Sequence, residues 1–349
     1  MSLKRFAVGI ALAAIFAPGA ASKDANWTPW AKISSAGGKA VVAVGWSSDN
    51  GEDAPTDLYL ADLATGVSKP VASVGPCDDW ISPLLTGDGK TILFNSPTGM
   101  AGSGLRRLSL EGQKSRRLTW SVLERETPFA ASRNGDKLLV HRGLWKGGFA
   151  LIGSVWLYEL SGSRVTKRDL GSSLNWFPVS KNGFVNSAAL IENGRRVIYS
   201  TCDKQLFVLD TSSKKVTAVG PGSDVVSTGD DQSVIVEHEG KRVLLDVDAR
   251  RRSPLRGGPA RVVGNGKRLL FAPQNRTSGD LETSDLRGND RSVVSMPPGK
   301  VSLSPSNDPT RGFLVFLIAD DAAQSGIWSI DGASGAAKLA VKFTIGEDE

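Results

Sequence analysis

Two histidines, His141 and His238, are the first candidates for chemistry in this 349-residue chain. Each follows an apolar, strand-like segment, at equivalent places in repeated units. Equivalent positions would bring both imidazoles near one face, where they could share a metal ion. A mononuclear site needs about three ligands, and no cluster of His or Cys surrounds either residue in the sequence. We therefore expect ordinary strand-end histidines, no metal site and no cofactor.

Other catalytic motifs are incomplete or missing in the sequence. The Gly-rich run 99–104 lacks the Lys-Ser/Thr ending of a phosphate loop, so we expect a hairpin loop there. No Gly-x-Ser-x-Gly elbow occurs, although the fold could still assemble a Ser-His-Asp triad from distant residues. The two cysteines, Cys77 and Cys202, make no disulfide framework and could be free or bridged. The sequence thus predicts no catalytic residue.

One repeated unit organises the chain. It consists of a strand, a polar Gly turn with Lys or Arg, an apolar strand, a loop, a strand that ends in Asp, a second turn and a short last strand. The clearest copy covers residues 81–119, where Gly87-Asp88-Gly89-Lys90 leads into Thr91-Ile92-Leu93-Phe94. Asn-Gly and Asp-Gly supply the positive φ that tight hairpins need. The first turns lie near residues 38, 89, 135, 194, 231, 266 and 311.

The mean spacing of these turns is about 45 residues, which is the period of four-stranded propeller blades. We therefore predict an all-β fold, a β-propeller of seven four-stranded blades, with six or eight blades and a β-sandwich repeat as the alternatives. The segment 86–94 and the Leu-Tyr-Leu-Ala-Asp-Leu-Ala-Thr-Gly segment 58–66 resemble the TolB-type, WD40-like propeller repeat over residues 31–343. The resemblance implies the fold. No counterpart of the α/β domain that precedes the TolB propeller is expected in this chain.

Antiparallel blades present two faces. The loop between the second and third strands and the connector to the next blade share one face, here called the long-loop face. The two hairpin turns of each blade share the opposite face, the hairpin face. Long loops on a rigid scaffold commonly carry binding sites, and we expect irregular loops at 47–56, 95–104, 142–154, 171–182 and 319–325.

The long-loop face collects the candidate binding residues. They are aromatic side chains and carboxylates, and aromatic side chains are enriched at interfaces. Trp46, Trp156 and Trp328 are expected in the core instead. The candidates are Trp80, Trp120, Trp145, Phe149, Trp176, Phe177, Asp49, Asp53, Asp78, Asp79, Asp320 and Asp321.

The hairpin face collects cations. They could serve solubility, or they could dock an acidic lipid or polysaccharide surface. They are Lys114, Arg116, Arg117, Arg195, Arg196, Lys214, Lys215, Arg250, Arg251, Lys267 and Arg268.

The N-terminus follows the pattern of a secretory signal. Lys4 and Arg5 precede an apolar run of about 11 residues, which is shorter than the about 20 that span a membrane. Small residues then offer cleavage after Ala21 or Ser22. Loss of Lys4 and Arg5 leaves 40 cationic against 36 acidic side chains, a net +4 that does not indicate a nucleic-acid partner.

These observations predict a signal peptide over residues 1–21, a short lead over 22–30, a propeller over 31–344 and an acidic tail over 345–349. The protein is expected in the periplasm or outside the cell, as a monomer without a transmembrane segment. Its expected function is non-enzymatic binding of a protein, peptide or glycan on the long-loop face. The alternative is a hydrolase or lyase acting in the central channel of that face.

Overall fold

The computed structural model describes most of the chain. The described residues are 27–48, 55–76, 81–97, 102–121, 124–146, 149–162, 164–170, 185–201, 203–228, 232–255, 261–264, 268–272, 281–285, 287–303 and 312–344. The predicted signal peptide and acidic tail lie outside them, as do Cys77 and Cys202. No helix within these ranges is both long and apolar enough to cross a membrane.

The described strands form seven antiparallel sheets of four strands each, and each sheet uses four strands that are consecutive in the chain. Blade 1 contains β1 (Trp27–Ala36), β2 (Lys39–Ser48), β3 (Pro55–Asp62) and β4 (Val67–Pro76). Blade 2 contains β5 (Leu84–Leu85), β6 (Thr91–Pro97), β7 (Ser103–Ser109) and β8 (Lys114–Arg117). Blade 3 contains β9 (Glu124–Ala131), β10 (Lys137–Lys146), β11 (Phe149–Ser161) and β12 (Arg164–Asp169). The first strand thus begins inside the segment expected as a lead.

The remaining blades follow the same order. Blade 4 contains β13 (Val185–Ile191), β14 (Arg196–Thr201), β15 (Gln205–Asp210) and β16 (Val216–Pro221). Blade 5 contains β17 (Ser223–Ser227), β18 (Ser233–His238), β19 (Lys241–Asp246) and β20 (Arg251–Pro254). Blade 6 contains β21 (Arg261–Gly264), β22 (Arg268–Ala272), β23 (Glu282–Asp285) and β24 (Ser292–Val293). Blade 7 contains β25 (Gly299–Leu303), β26 (Phe313–Ala319), β27 (Gly326–Ile330) and β28 (Ala337–Lys342).

The seven-bladed propeller is confirmed. All seven predicted turns fall between the first and second strands of a blade. First strands of neighbouring blades contact one another, as β1 does with β5, β13 with β17 and β25 with β1, so the first strand of each blade is the inner one.

The apolar runs of the second strands serve two blade boundaries at once. In β2, Ala40, Val42 and Val44 pack towards blade 7, whereas Val41 and Ala43 pack towards blade 2. Successive side chains of a strand point to opposite faces, and neighbouring blades cover both faces of this strand. Continuous rather than alternating hydrophobicity is therefore what this packing requires.

Side-chain packing closes the ring between blades 1 and 7. The ring of Phe343 lies edge-on to Tyr59 and to Phe316, with centroids 5.8 and 5.1 Å away. Among the described strands, none of blade 1 is hydrogen-bonded into the sheet of blade 7. Trp46 is buried at this boundary, and Trp156 and Trp328 are partly buried against other clusters, which confirms their predicted place in the core.

The Asp that ends many third strands caps the turn that follows it. The Asp62 carboxylate accepts the N–H groups of Ala64 and Thr65 at 2.9 and 3.0 Å. Asp210 accepts those of Ser212 and Ser213 at 3.0 and 2.8 Å, together with both hydroxyls. Such bonds favour the ionised carboxylate. The backbone N–H donors therefore lower the pKa of Asp62, and the hydrogen bond from the Ser212 hydroxyl is the largest of those that lower the pKa of Asp210.

Acid is therefore expected to weaken these turns. A carboxylate whose folded pKa lies below its unfolded value of about 3.8 stabilises the fold above that pH, and this stability is lost as the pH falls through the folded value. The variant Asp210→Asn keeps an acceptor but has no charge to lose. Its deficit in melting temperature against the natural chain should be largest at pH 5–7 and should narrow below about pH 4. A deficit that is the same at pH 3 and pH 7 would contradict this account.

Candidate functional site

Many of the sequence-predicted site residues lie outside the described residues. They are Asp49, Asp53, Asp78, Asp79, Trp80, Trp176 and Phe177. The described part of the long-loop face retains Trp120 between blades 2 and 3 and the pair Asp320 and Asp321 in blade 7, so the structure does not bring these together into one cluster.

The expectation of an irregular loop over 142–154 is wrong. Strands β10 and β11 continue as a hydrogen-bonded ladder, in which Arg142 pairs with Ser154, Trp145 with Ala150 and Lys146 with Phe149. The inner strand β9 begins opposite Leu144, so the tip of this hairpin extends beyond the blade's inner strand. Trp145 and Phe149 are thus on paired strands, and their side chains lie outside the described ones.

The predicted acidic pair of blade 7 has a local structural role. Asp321 precedes the short 3-10 helix Ala322–Gln324, and its carboxylate accepts the N–H of Ala323 at 3.0 Å. The amide of Gln324 also donates to Asp321 at 3.1 Å. Both Asp320 and Asp321 are exposed, so they remain accessible to a partner.

Trp120 is an exposed aromatic side chain on a fixed connector. Its side chain is 62% exposed, and it lies in the segment that joins β8 to β9. The N–H groups of Leu118 and Thr119 both donate to the carbonyl of Leu105, at 2.8 and 3.3 Å. The Arg117 guanidinium carbon lies 5.8 Å from the centre of the indole ring, a cation–π distance.

Gly104 lets the connector approach this closely. A Cβ on Gly104 would lie 2.3 Å from the carbonyl oxygen of Thr119 and 3.2 Å from the Cα of Trp120. These are backbone atoms, so a side chain at Gly104 would displace the connector. The glycine therefore helps to set the position of Trp120.

A fully buried carboxylate lies beneath the connector. Glu126 is 0% exposed and faces blade 2 from the inner strand β9. Its carboxylate accepts the Thr119 hydroxyl, the Tyr158 hydroxyl at 2.5 Å and the Lys167 ammonium at 2.8 Å. Its backbone N–H donates to the Ser103 hydroxyl of blade 2 at 2.8 Å. Glu126 thus ties the connector and blade 2 to two outer strands of blade 3.

Further charged and aromatic groups complete this network. Arg142 pairs with Glu124 through its Nε at 2.8 Å, and the same Nε lies 3.9 Å from the Glu126 carboxylate. The Arg142 guanidinium lies 4.6 Å from the ring centre of Trp156, and the Lys167 ammonium lies 4.9 Å from that of Tyr158. Burial, and then the charge of Glu126, raises the pKa of Tyr158 well above its usual range, so its hydroxyl remains a donor.

Sequence reasoning missed this network. Its one local signal is the Glu-x-Glu spacing at Glu124 and Glu126, which puts two carboxylates on the same side of a strand otherwise expected to be apolar. Their partners come from β10, β11, β12 and the preceding connector, so the spacing alone could not reveal them. The network fixes the position of the connector that carries Trp120. Its acidic and basic groups are already paired with one another.

The histidines occupy different settings. His141 lies inside β10 and stacks on Phe129, with ring centres 4.3 Å apart, rather than following the strand as expected. His238 ends β18, and its Nε2 lies 3.9 Å from the carboxylate of Glu239. Within the ranges given above, no group of three or more His, Cys, Asp and Glu side chains could hold a metal ion.

The ring-closure boundary contains a groove of about 500 Å³ on the hairpin face. It lies between the last turn of blade 1 and strands β26, β27 and β28 of blade 7. Its lining includes Leu63, Thr65, Leu314, Ser329, Lys338 and Leu339.

Comparison with known proteins gives the class of fold. No family model and no curated protein matches the sequence. The β-propeller domain of the Trilobed protease from Pyrococcus furiosus is similar over 92% of this chain and 97% of its own, with 10% identity and a TM-score of 0.59. Oligogalacturonate lyase in complex with manganese is similar over 90% of this chain and 94% of its own, with 12% identity and a TM-score of 0.54.

The TolB resemblance stands only as a propeller likeness. TolB from Acinetobacter baumannii aligns over 89% of this chain and 82% of its own, with 13% identity and a TM-score of 0.45, which is too low to favour the TolB type in particular. The chain spans about half the length of the whole peptidases that it matches, such as the acylaminoacyl peptidase from Pyrococcus horikoshii. The chain is a seven-bladed β-propeller, and at these identities the likeness shows the fold alone.

Proposed function

We propose that this protein is an exported, non-enzymatic propeller that binds a protein, peptide or glycan through its long-loop face. The observation that carries the proposal is Trp120, an exposed indole held on a connector that a buried network fixes in place. The signal-like N-terminus supports a place in the periplasm or outside the cell.

The arrangement around Trp120 suits binding for a physical reason. Tryptophan gives a large contact area at a small cost in conformational entropy, and it is enriched among residues that dominate binding energy. The connector is already ordered in the free protein, so less entropy is lost when a partner binds. The hairpin that carries Trp145 and Phe149 projects from blade 3, the blade that follows the connector.

A hydrolase or lyase acting in the central channel is the second candidate. The observation that favours it is the likeness to a protease's propeller domain and to a lyase that is itself almost wholly covered by the alignment. The two candidate functions differ in what happens to the bound molecule. A binding protein leaves its mass unchanged, whereas a hydrolase or lyase cleaves it.

Replacing Trp120 with alanine is expected to weaken partner capture by about tenfold or more while leaving the melting temperature nearly unchanged. The indole makes few buried contacts, so its loss costs the fold little. The measurement is quantitative mass spectrometry of proteins and glycans captured by the mature chain from a periplasmic extract and from the culture medium. The captured material is also incubated with the chain to detect cleavage.

Val67→Ala is the matched control, because Val67 is also 62% exposed but begins β4 beside a turn of the hairpin face. Capture by this variant should equal that of the natural chain. Equal capture by the Trp120 variant would refute the site, and cleavage of the captured material would favour the enzyme.

A further inference from the structure

The cations of the hairpin face are unevenly compensated. Arg196 pairs with Glu192 and Asp248, and Lys214 pairs with Glu159 at 2.7 Å. Arg268 donates to the carbonyls of Gly332 and Asp290. Other cations, such as Arg250 and Arg251, are in no ion pair among the described residues. The same holds for the five cations on the outer strands of blade 2: Arg106, Arg107, Lys114, Arg116 and Arg117.

Four of these cations lie directly opposite one another on the paired strands β7 and β8. Arg106 pairs in register with Arg117, and Arg107 with Arg116. Opposed residues of antiparallel strands have Cβ atoms about 4.5–5.5 Å apart, and like charges there destabilise the sheet. Strand β8 is exposed at every position. The free protein therefore holds a concentration of positive charge that folding disfavours.

Protection of a sheet edge does not account for this concentration. Charged side chains on an edge strand do prevent edge-to-edge pairing of sheets. The outer strand β16 of blade 4, with sequence VTAVGP, has no charged side chain at all, so the fold does not require cations at this position. Single charges would also suffice, without two opposed arginine pairs.

The patch wraps around both sides of the blade edge. Leu108 packs towards blade 1, whereas Leu105 packs towards blade 3. By the alternation of side chains, Arg106 and Arg117 lie on the blade 1 side, and Arg107, Arg116 and Lys114 lie on the blade 3 side. A flat membrane surface could meet only one of these sides, whereas a flexible polyanion can follow both.

We propose that the outer edge of blade 2 binds an acidic polysaccharide whose sugars carry carboxylates. Arginine binds carboxylates through two parallel hydrogen bonds, and two opposed arginines can serve neighbouring carboxylates of one chain. Trp120 lies beside Arg117 at the long-loop end of the patch, where its ring can pack on the apolar face of a sugar. This inference rests on the proposed binding function and names a glycan class for it.

The experiment measures binding of the folded mature chain to polygalacturonate in a titration with sodium chloride. The natural chain should bind, with an affinity that falls steadily as salt rises, since exposed charges are screened. The variant Arg107→Gln/Arg116→Gln should lose roughly tenfold or more in affinity. The melting temperature of this double variant should equal or exceed that of the natural chain, because a repulsive pair is removed. The single variant Arg116→Gln should lose a smaller part of the affinity.

The control Arg250→Gln/Arg251→Gln removes the same charge from the point where the last turn of blade 5 meets β20, and it should bind like the natural chain. Equal losses in both double variants would overturn the proposal, since only net charge would then matter. Absence of binding to polygalacturonate would overturn it, as would tighter binding to phosphatidylglycerol vesicles. If the chain captures another partner through Trp120 but does not bind polygalacturonate, the proposed function is supported and only this inference is refuted.

Discussion

Glu126→Gln is expected to lower the free energy of unfolding by about 2–4 kcal/mol. The substitution keeps the shape of the side chain but removes the negative charge that faces Lys167 and Arg142. Their side chains are only 30% and 22% exposed, so water compensates the lost charge in part. The cost therefore lies below that of a fully buried pair, although it remains large for a single isosteric change.

Thermal unfolding measures this effect directly. For a chain of this size, with an unfolding entropy of about 2.1 cal/mol/K per residue, the expected drop in melting temperature is about 3–6 °C. Glu111→Gln is the matched control, because Glu111 also contacts a lysine, Lys90 at 2.9 Å, but both side chains are largely in water. It should change stability by less than about 1 kcal/mol. Equal melting temperatures for the two variants would mean that the buried network does not hold blades 2 and 3 together.

Gly104→Ala is expected to destabilise the fold by about 3 kcal/mol and to weaken partner capture at temperatures where the variant is still folded. The new methyl group would lie 2.3 Å from the Thr119 carbonyl oxygen, and backbone cannot rotate away as a side chain can. The connector must shift, which strains its hydrogen bonds to Leu105 and moves Trp120. Loss of capture without a change in residue 120 itself would show that its position matters.

The control for this change is Gly112→Ala. A Cβ at Gly112 has no neighbour closer than 3.8 Å, and that neighbour is the flexible side chain of Lys114. Stability and capture should both stay near those of the natural chain. If Gly104→Ala behaved in the same way, the close approach of the connector would have no functional weight.

The fold was largely predictable because each blade repeats the same local rules. The turns at Gly38, Gly89 and Gly135 and the strand-ending Asp62 and Asp210 are settled within a few residues of sequence. The continuous apolar run 40–44 follows from burial between two neighbouring blades. The first turn recurs in every blade and the strand-ending Asp in most of them, and the period then predicts the ring.

The site was less predictable because it depends on contacts between blades. From the sequence alone, Glu126 would be placed on the surface. Only the structure shows that Thr119, Tyr158 and Lys167 surround it. Its partner Lys167 is 41 residues away in the chain. The segment 142–154 was expected to be an irregular loop, yet its residues continue the hydrogen-bonded ladder of β10 and β11. Cross-strand pairing of this kind depends on residues of two strands and is not visible in either strand alone.

The most direct test of the binding surface is hydrogen–deuterium exchange of the chain with and without its captured partner. We expect slower exchange in the connector 118–121 and in the hairpin 142–154, with little change in the last turns of blades 1, 4 and 7. Protection confined to those hairpin-face turns, at residues 62–67, 210–216 and 331–337, would show that the long-loop face does not bind the partner.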